Sequence, residues 1–160
     1  MLAKWLEANY YNTKYVPVPI DEYLVYDNLV YPVSTSSAFF KTASQLGSAV
    51  ASGKQALNLQ ATKEIQKSSH KELQPALTNA VVALAVETAI SNHGALVFCG
   101  GRQSSQNMAA LIAEAMPMDH VLRELLDRRK DVMCELQSLP VGLDETLGKT
   151  LITGVAFHRW

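Results

Sequence analysis

The residue types best suited to chemistry cluster in one stretch, Gly94-Ala95-Leu96-Val97-Phe98-Cys99-Gly100-Gly101-Arg102-Gln103-Ser104-Ser105-Gln106-Asn107-Met108-Ala109. An apolar run ends in two glycines, an arginine and a pair of hydroxyls, and a helical pattern then begins. This order predicts a strand feeding a tight turn into a helix N-terminus. Bare amides and the positive end of the helix dipole gather at such a place, so an anion such as a phosphate is favoured there. Gly100, Gly101, Arg102, Ser104 and Ser105 are the candidate contacts: one charged group completed by amides and hydroxyls. Asn107 either supports the same loop or is an exposed helical residue. The same stretch also reads as a plain strand-to-helix turn with a hydroxyl N-cap.

Other chemistry-bearing residues are less organised. Cys99 with Cys134, His93 or His120 matches no zinc-ligand spacing, and Cys99 lacks a partnered base in any motif. No catalytic, cofactor-binding or metal residue is therefore assigned. Arg123, Arg128, Arg129 and Lys130 form a basic cluster, balanced by Glu124, Asp127 and Asp131 as on a solvated helix face. Tyr10, Tyr11, Tyr15, Tyr23, Tyr26 and Tyr31 offer either base stacking or packing against a neighbouring domain. The glycines do not form Gly-x-Gly-x-x-Gly, which disfavours a dinucleotide site.

The elements that position these residues emerge from the wider pattern. The 160 residues suit one domain, and 48% are apolar, enough for a core. A net charge of -1 excludes a whole-surface basic footprint, so any nucleic-acid contact must be a local patch. Two distant cysteines give no disulfide framework and favour a reducing compartment. No apolar run is long enough to span a membrane.

Residues 2–10 predict a short helix, and the prolines at 17 and 19 force an extended segment. Residues 21–27 alternate as a strand, Asp27-Asn28 offers a turn, and 29–31 a second strand ended by Pro32, together a hairpin. Residues 34–72 are rich in Ser and Thr and read as an irregular insertion, with a short strand near 56–60. From Pro75 a helix apolar on most sides follows, closed by Gly94 as a left-handed cap. A strand over 95–99, a helix over about 105–116, a third helix capped by Asp119, a short helix capped by Asp144 and a strand over 154–158 complete the chain. This alternation predicts an α/β fold with a parallel sheet, of which two strands are evident.

Here the residues carry a resemblance. The segment Ala95-Leu96-Val97-Phe98-Cys99-Gly100-Gly101-Arg102 resembles motif IV of superfamily-two helicases. Gly142-Leu143-Asp144 through Leu147, with Lys149-Thr150 and Gly154-Val155-Ala156-Phe157-His158, is similar to the segment before that family's His-His-Ala-Gly-Leu turn. Leu2-Ala3-Lys4-Trp5-Leu6 and Pro17-Val18-Pro19-Ile20-Asp21-Glu22-Tyr23 resemble the exit from its first RecA-like domain. His70-Lys71-Glu72-Leu73, Pro75 and Asn79-Ala80-Val81-Val82-Ala83-Leu84 favour the DNA polymerase theta and helicase Q-like branch. Val16 replaces the family's usual Arg, Gly101 its Ser or Thr, and Arg159-Trp160 follow His158 in place of His-Ala-Gly-Leu.

The resemblance implies the front of a second RecA-like domain of the P-loop NTPase type (residues 73–160). Before it come the insertion (34–72) and the domain exit with its extended hairpin linker (1–33). It also implies a fragment of a nuclear, ATP-dependent 3′–5′ DNA helicase of DNA repair, acting on single-stranded or branched DNA. ATP and magnesium would be bound by the full-length parent, together with the first RecA-like domain. His158 would begin a turn facing nucleic acid; its other reading is a half-buried histidine at a strand end. The alternative function is a non-catalytic α/β module, derived from a helicase, that binds nucleic acid or protein. The sequence holds no Gly-x-x-x-x-Gly-Lys-Thr, no Asp-Glu-x-His and no Gln-x-x-Gly-Arg-x-Gly-Arg. The purified 160-residue chain should therefore show no DNA-stimulated ATP hydrolysis in a phosphate-release assay, and clear turnover would contradict this reading.

Overall fold

A computed structural model describes residues 18–33, 41–48, 60–123 and 126–158. The helix expected over 2–10, most of the strand near 56–60, Glu124 and Arg159-Trp160 lie outside the described residues. These fall into two compact units, one taking those up to Leu24 and from Pro32 to 48, the other Val25–Tyr31 and those from 60 onward. In the first unit residues 41–48 are helical. Thr42 and Leu46, four positions apart and so on one face, are buried there.

The expected hairpin is present. Strands β1 (Glu22–Tyr26) and β2 (Leu29–Val33) flank Asp27 and Asn28, whose φ values of 46° and 62° both lie in the left-handed region. A two-residue connection of that kind follows the natural twist of an antiparallel pair, and Asp and Asn tolerate it. In the second unit, β3 (Lys63–Glu64) pairs antiparallel with β2, Leu29 opposite Glu64 and Val30 opposite Lys63. The sheet order is β1-β2-β3. Pro32 lies beyond the residues that β3 pairs with, so its missing N–H costs no bond on that side.

Among the described residues of the second unit, five helical segments follow a short 3-10 turn at Lys71–Leu73. They are α1 (Ala76–Ile90), α2 (Arg102–Ala115), α3 (Met118–Arg123), α4 (Leu126–Ser138) and α5 (Glu145–Leu151). The apolar character of α1 on several sides has a direct cause, because two core clusters meet it. Val82 and Ala85 join Ile112, Met116 and Val121 on one side. Ala80 joins Val30 and Ile65 on the other.

Several terminations differ from expectation. Asn92, not Gly94, takes the left-handed conformation after α1, at φ 59°. The His93 N–H then donates back to the Thr88 carbonyl at 3.1 Å, closing the helix. Asn is the residue other than Gly that best tolerates this region. The α2 helix begins at Arg102, earlier than the expected 105, with Gly101 as N-cap and no side chain capping it. Ser104 and Ser105 thus fall inside the first turn, and the hydroxyl N-cap is not formed. Met116 is extended (ψ 127°), as the residue before Pro117 must be. The third helix is described over Met118–Arg123 and Leu126–Ser138, the two positions between lying outside the described residues, and Asp119 lies within the first turn of α3 rather than capping it.

Asp144 does cap α5: its carboxylate accepts from the Thr146 and Leu147 amides at 3.0 and 3.1 Å. Lys149 sits one turn after Glu145 at 2.6 Å. Its hydrogen bond and charge hold the exposed Glu145 carboxyl below its ordinary pKa. The small benefit is present at neutral pH and fades as pH falls through the folded-state value.

The expected parallel sheet is not among the described residues, where the sheet is the antiparallel one at the hairpin. Residues 95–99 and 155–158 carry no strand assignment. A strand assignment needs a regular ladder with a hydrogen-bonded neighbour, and these two segments carry none. They do alternate in burial as strands do. Val97, Cys99, Val155 and Phe157 are half-buried, while Leu96, Phe98, Ala156 and His158 are exposed. Val97 and Val155 pack against the α1–α2 cluster.

One polar network fixes the second unit. Asn79 is buried on α1, and its side-chain amide donates to Asn28 Oδ1 (2.9 Å) and to the Gln66 carbonyl (3.0 Å). Its oxygen accepts from the Ser68 N–H at 3.1 Å. Asn79→Ala would strand these buried partners and should cost about 3 kcal/mol, on the scale for unmade buried hydrogen bonds. Urea unfolding measures this, and a loss well under 1 kcal/mol would show the network to be dispensable.

Candidate nucleic-acid interface

The turn at residues 99–102 is held from below by α1 and α2. Ala85 and Ala89 of α1, with Met108, Ile112 and Met116 from α2 and its C-cap, form the apolar floor of a cavity of about 640 Å³. Residues 94–102 make one wall and residues 154–158 another. Gly100, Gly101, Arg102, Ser105 and His158 all line this cavity, although 56 positions separate Arg102 from His158. Five of the seven sequence-derived candidates are thereby brought together.

The other two are not. Ser104 is exposed and does not line the cavity. Asn107 is exposed on α2 and accepts from Gln103 Nε2 at 2.8 Å, one helical turn away. That favours its reading as an exposed helical residue. The Ser105 hydroxyl donates to the Arg102 carbonyl at 2.8 Å, so its proton is spent on the helix. Arg102 is exposed at the first position of α2. Among the described residues, no acidic side chain lines the cavity. Its charged and titratable lining consists of Arg102, His93, His158 and Cys99. An exposed guanidinium at a helix N-terminus with no capping side chain is suited to an anion.

Sequence reasoning did not assign His93 to the site. It is the third residue past the end of α1, just after the left-handed Asn92. It also missed the link that holds α5 to α2, where Gln106 Nε2 donates to Thr146 Oγ1 at 2.7 Å. A glutamine and a threonine 40 residues apart carry no sequence signal of such a pairing. In the basic cluster, Arg128 and Lys130 are exposed. Arg129 is half-buried and turned to backbone carbonyls. Among the described residues, no three His, Cys, Asp or Glu side chains gather as a metal site would require.

Comparison with known proteins agrees with the motif resemblance. No family model matches the chain. A human protein named helicase POLQ-like is 28% identical over 159 residues, covering 99% of this chain and 13% of its own length. Mouse DNA polymerase theta is 27% identical over 177 residues, again covering 99% of this chain but 6% of its own. Drosophila melanogaster DNA polymerase theta is 23% identical over 172 residues, at 99% and 7%. Relatives of this one branch therefore align along essentially the whole chain, and the chain spans a small part of each.

The two cysteines give a check on this geometry. Cys99 is half-buried on the cavity wall and Cys134 is exposed on α4. A thiol reagent should modify Cys134 first and Cys99 more slowly, as read by mass spectrometry of peptides. The reverse order would mean that the cavity wall is open.

Proposed function

We propose that this chain is part of an ATP-dependent 3′–5′ DNA helicase or translocase of the polymerase theta and helicase Q-like kind. Residues 73–160 are then the front of its second RecA-like domain, and residues 95–99 and 155–158 are strands of a sheet completed by further chain. The chain's own contribution is a grip on the sugar-phosphate backbone of DNA. The observation that carries this reading is the exposed Arg102 at the start of α2, lining one cavity with Gly100, Gly101 and His158. The relatives' names and their alignment over 99% of the chain support the DNA-repair setting, and a nuclear location follows from it.

The chemistry is positional. Arg102 supplies a fixed charge to one phosphate, and the amides at Gly100 and Gly101 approach the backbone without side chains in the way. Such contacts hold a strand regardless of its sequence, as a translocating motor requires. The triphosphate, its magnesium ion and the water that attacks it belong to motifs that these 160 residues do not carry.

The test is fluorescence anisotropy of the chain with a labelled single-stranded oligothymidine across a salt series. Binding should weaken with salt. Arg102→Ala should lower both the affinity and the slope of log K against log salt, the slope by about 0.7 for one phosphate contact on a single strand. Absence of binding, or an Arg102→Ala variant with the parent slope, would overturn the reading.

A further inference from the structure

Arg129 lies on α4, in the basic run that the sequence offers as a possible nucleic-acid patch. Its Nη1 donates to the Ile152 carbonyl at 3.0 Å and to the Val121 carbonyl at 3.3 Å. Ile152 is the C-cap of α5, where a cation also meets the negative end of the helix dipole. The rest of the guanidinium covers Gly154. A Cβ built there would lie 3.1 Å from Nη2 and 3.2 Å from both Cζ and Nε. Near-equal distances to three atoms of the plane place the group face-on over the glycine.

Gly154 itself is left-handed, at φ 85°. Its N–H donates to the Leu151 carbonyl at 2.9 Å, and the Val155 N–H to the Thr150 carbonyl at 3.1 Å. The turn that Arg129 covers is thus the one from which residues 155–158 depart along the cavity wall. Val155 packs on the α1–α2 cluster, and His158 lines the cavity that Arg102 also lines.

From this geometry we infer that Arg129 is a positioning residue for the candidate interface, a role that rests on the preceding reading for its nucleic-acid consequence. It binds no phosphate. Its planar fork locks the 150–155 turn, and the locked turn sets where His158 stands on the cavity wall. A lysine at this place would keep the charge but lose the flat cover over Gly154 and the forked donors.

The experiment compares the 160-residue chain with Arg129→Lys and Arg129→Ala. The first readout is the His158 imidazole carbon-proton resonance by NMR, with His70, remote from this turn in sequence and outside the cavity lining, as the internal control. Both variants should shift the His158 and Ala156 signals and leave His70 in place. A His158 signal that does not move in Arg129→Lys would overturn the inference. If Arg129→Ala fails to fold, Arg129→Lys alone decides. The second readout is the oligothymidine salt series. Binding should weaken with the parent slope, whereas a slope lowered by about 0.7 in Arg129→Ala would make Arg129 a phosphate ligand and overturn the inference. If the parent chain binds no DNA, the functional reading fails, and the His158 signal still decides the role of Arg129.

Discussion

The second unit depends on how its first long helix is held. That helix, Ala76–Ile90, has no polar face of the usual width because apolar clusters meet it on two sides. Apolar burial alone is non-directional and would let the helix slide or rotate. The Asn79 carboxamide removes that freedom. It uses both of its N–H groups and its oxygen at once, on the hairpin turn, the Gln66 backbone and the Ser68 backbone. A buried polar network satisfied in full fixes one arrangement, since any shift leaves several buried groups unpaired. The hairpin turn answers it from the other side, where the Asn28 carbonyl accepts from the Ile65 N–H at 2.7 Å.

With that helix fixed, the candidate site follows from helix packing. The α2 helix and its C-cap lie on α1 through Ile112 and Met116, and the start of α2 lines the cavity with Arg102 and Ser105. The same floor supports both non-helical walls, so Gly100, Arg102 and His158 converge without any direct bond between the two segments being needed. Val97 and Val155, half-buried positions one on each wall, pack on the helix cluster.

Much of this was legible in the chain itself. The Asp27-Asn28 turn, the α5 cap at Asp144, the break at Pro117 and the two-sided apolar helix all follow from local rules, and each has a local cause. The resemblance of residues 95–102 to motif IV of superfamily-two helicases, joined by that of residues 70–84, pointed to the polymerase theta and helicase Q-like branch, and relatives of that branch align over 99% of the chain. What was not legible depended on partners. The left-handed cap fell on Asn92 rather than Gly94 because the helix ended two residues sooner than the glycine suggests. The hydroxyl pair entered the helix instead of capping it, because nothing in the sequence says which residue after a glycine pair begins the first turn. Strand assignment at 95–99 and 155–158 failed for the same reason, since a ladder belongs to two segments and the periodicity of one reports only its own half. The orientation of Arg129 was invisible in a run of charges that otherwise faces water.

The α4 helix has a different consequence. None of the side chains described along Leu126–Ser138 is fully buried, and Val132 is 39% exposed. Exposed helical positions tolerate exchange at little cost, generally within about 0.5 kcal/mol. Over evolutionary time this helix is therefore free to change its surface, acquiring new charges or a new binding face while the fold stays intact. The half-buried stripe of Leu126, Arg129, Met133 and Leu136 is the exception, fixed in an otherwise permissive stretch.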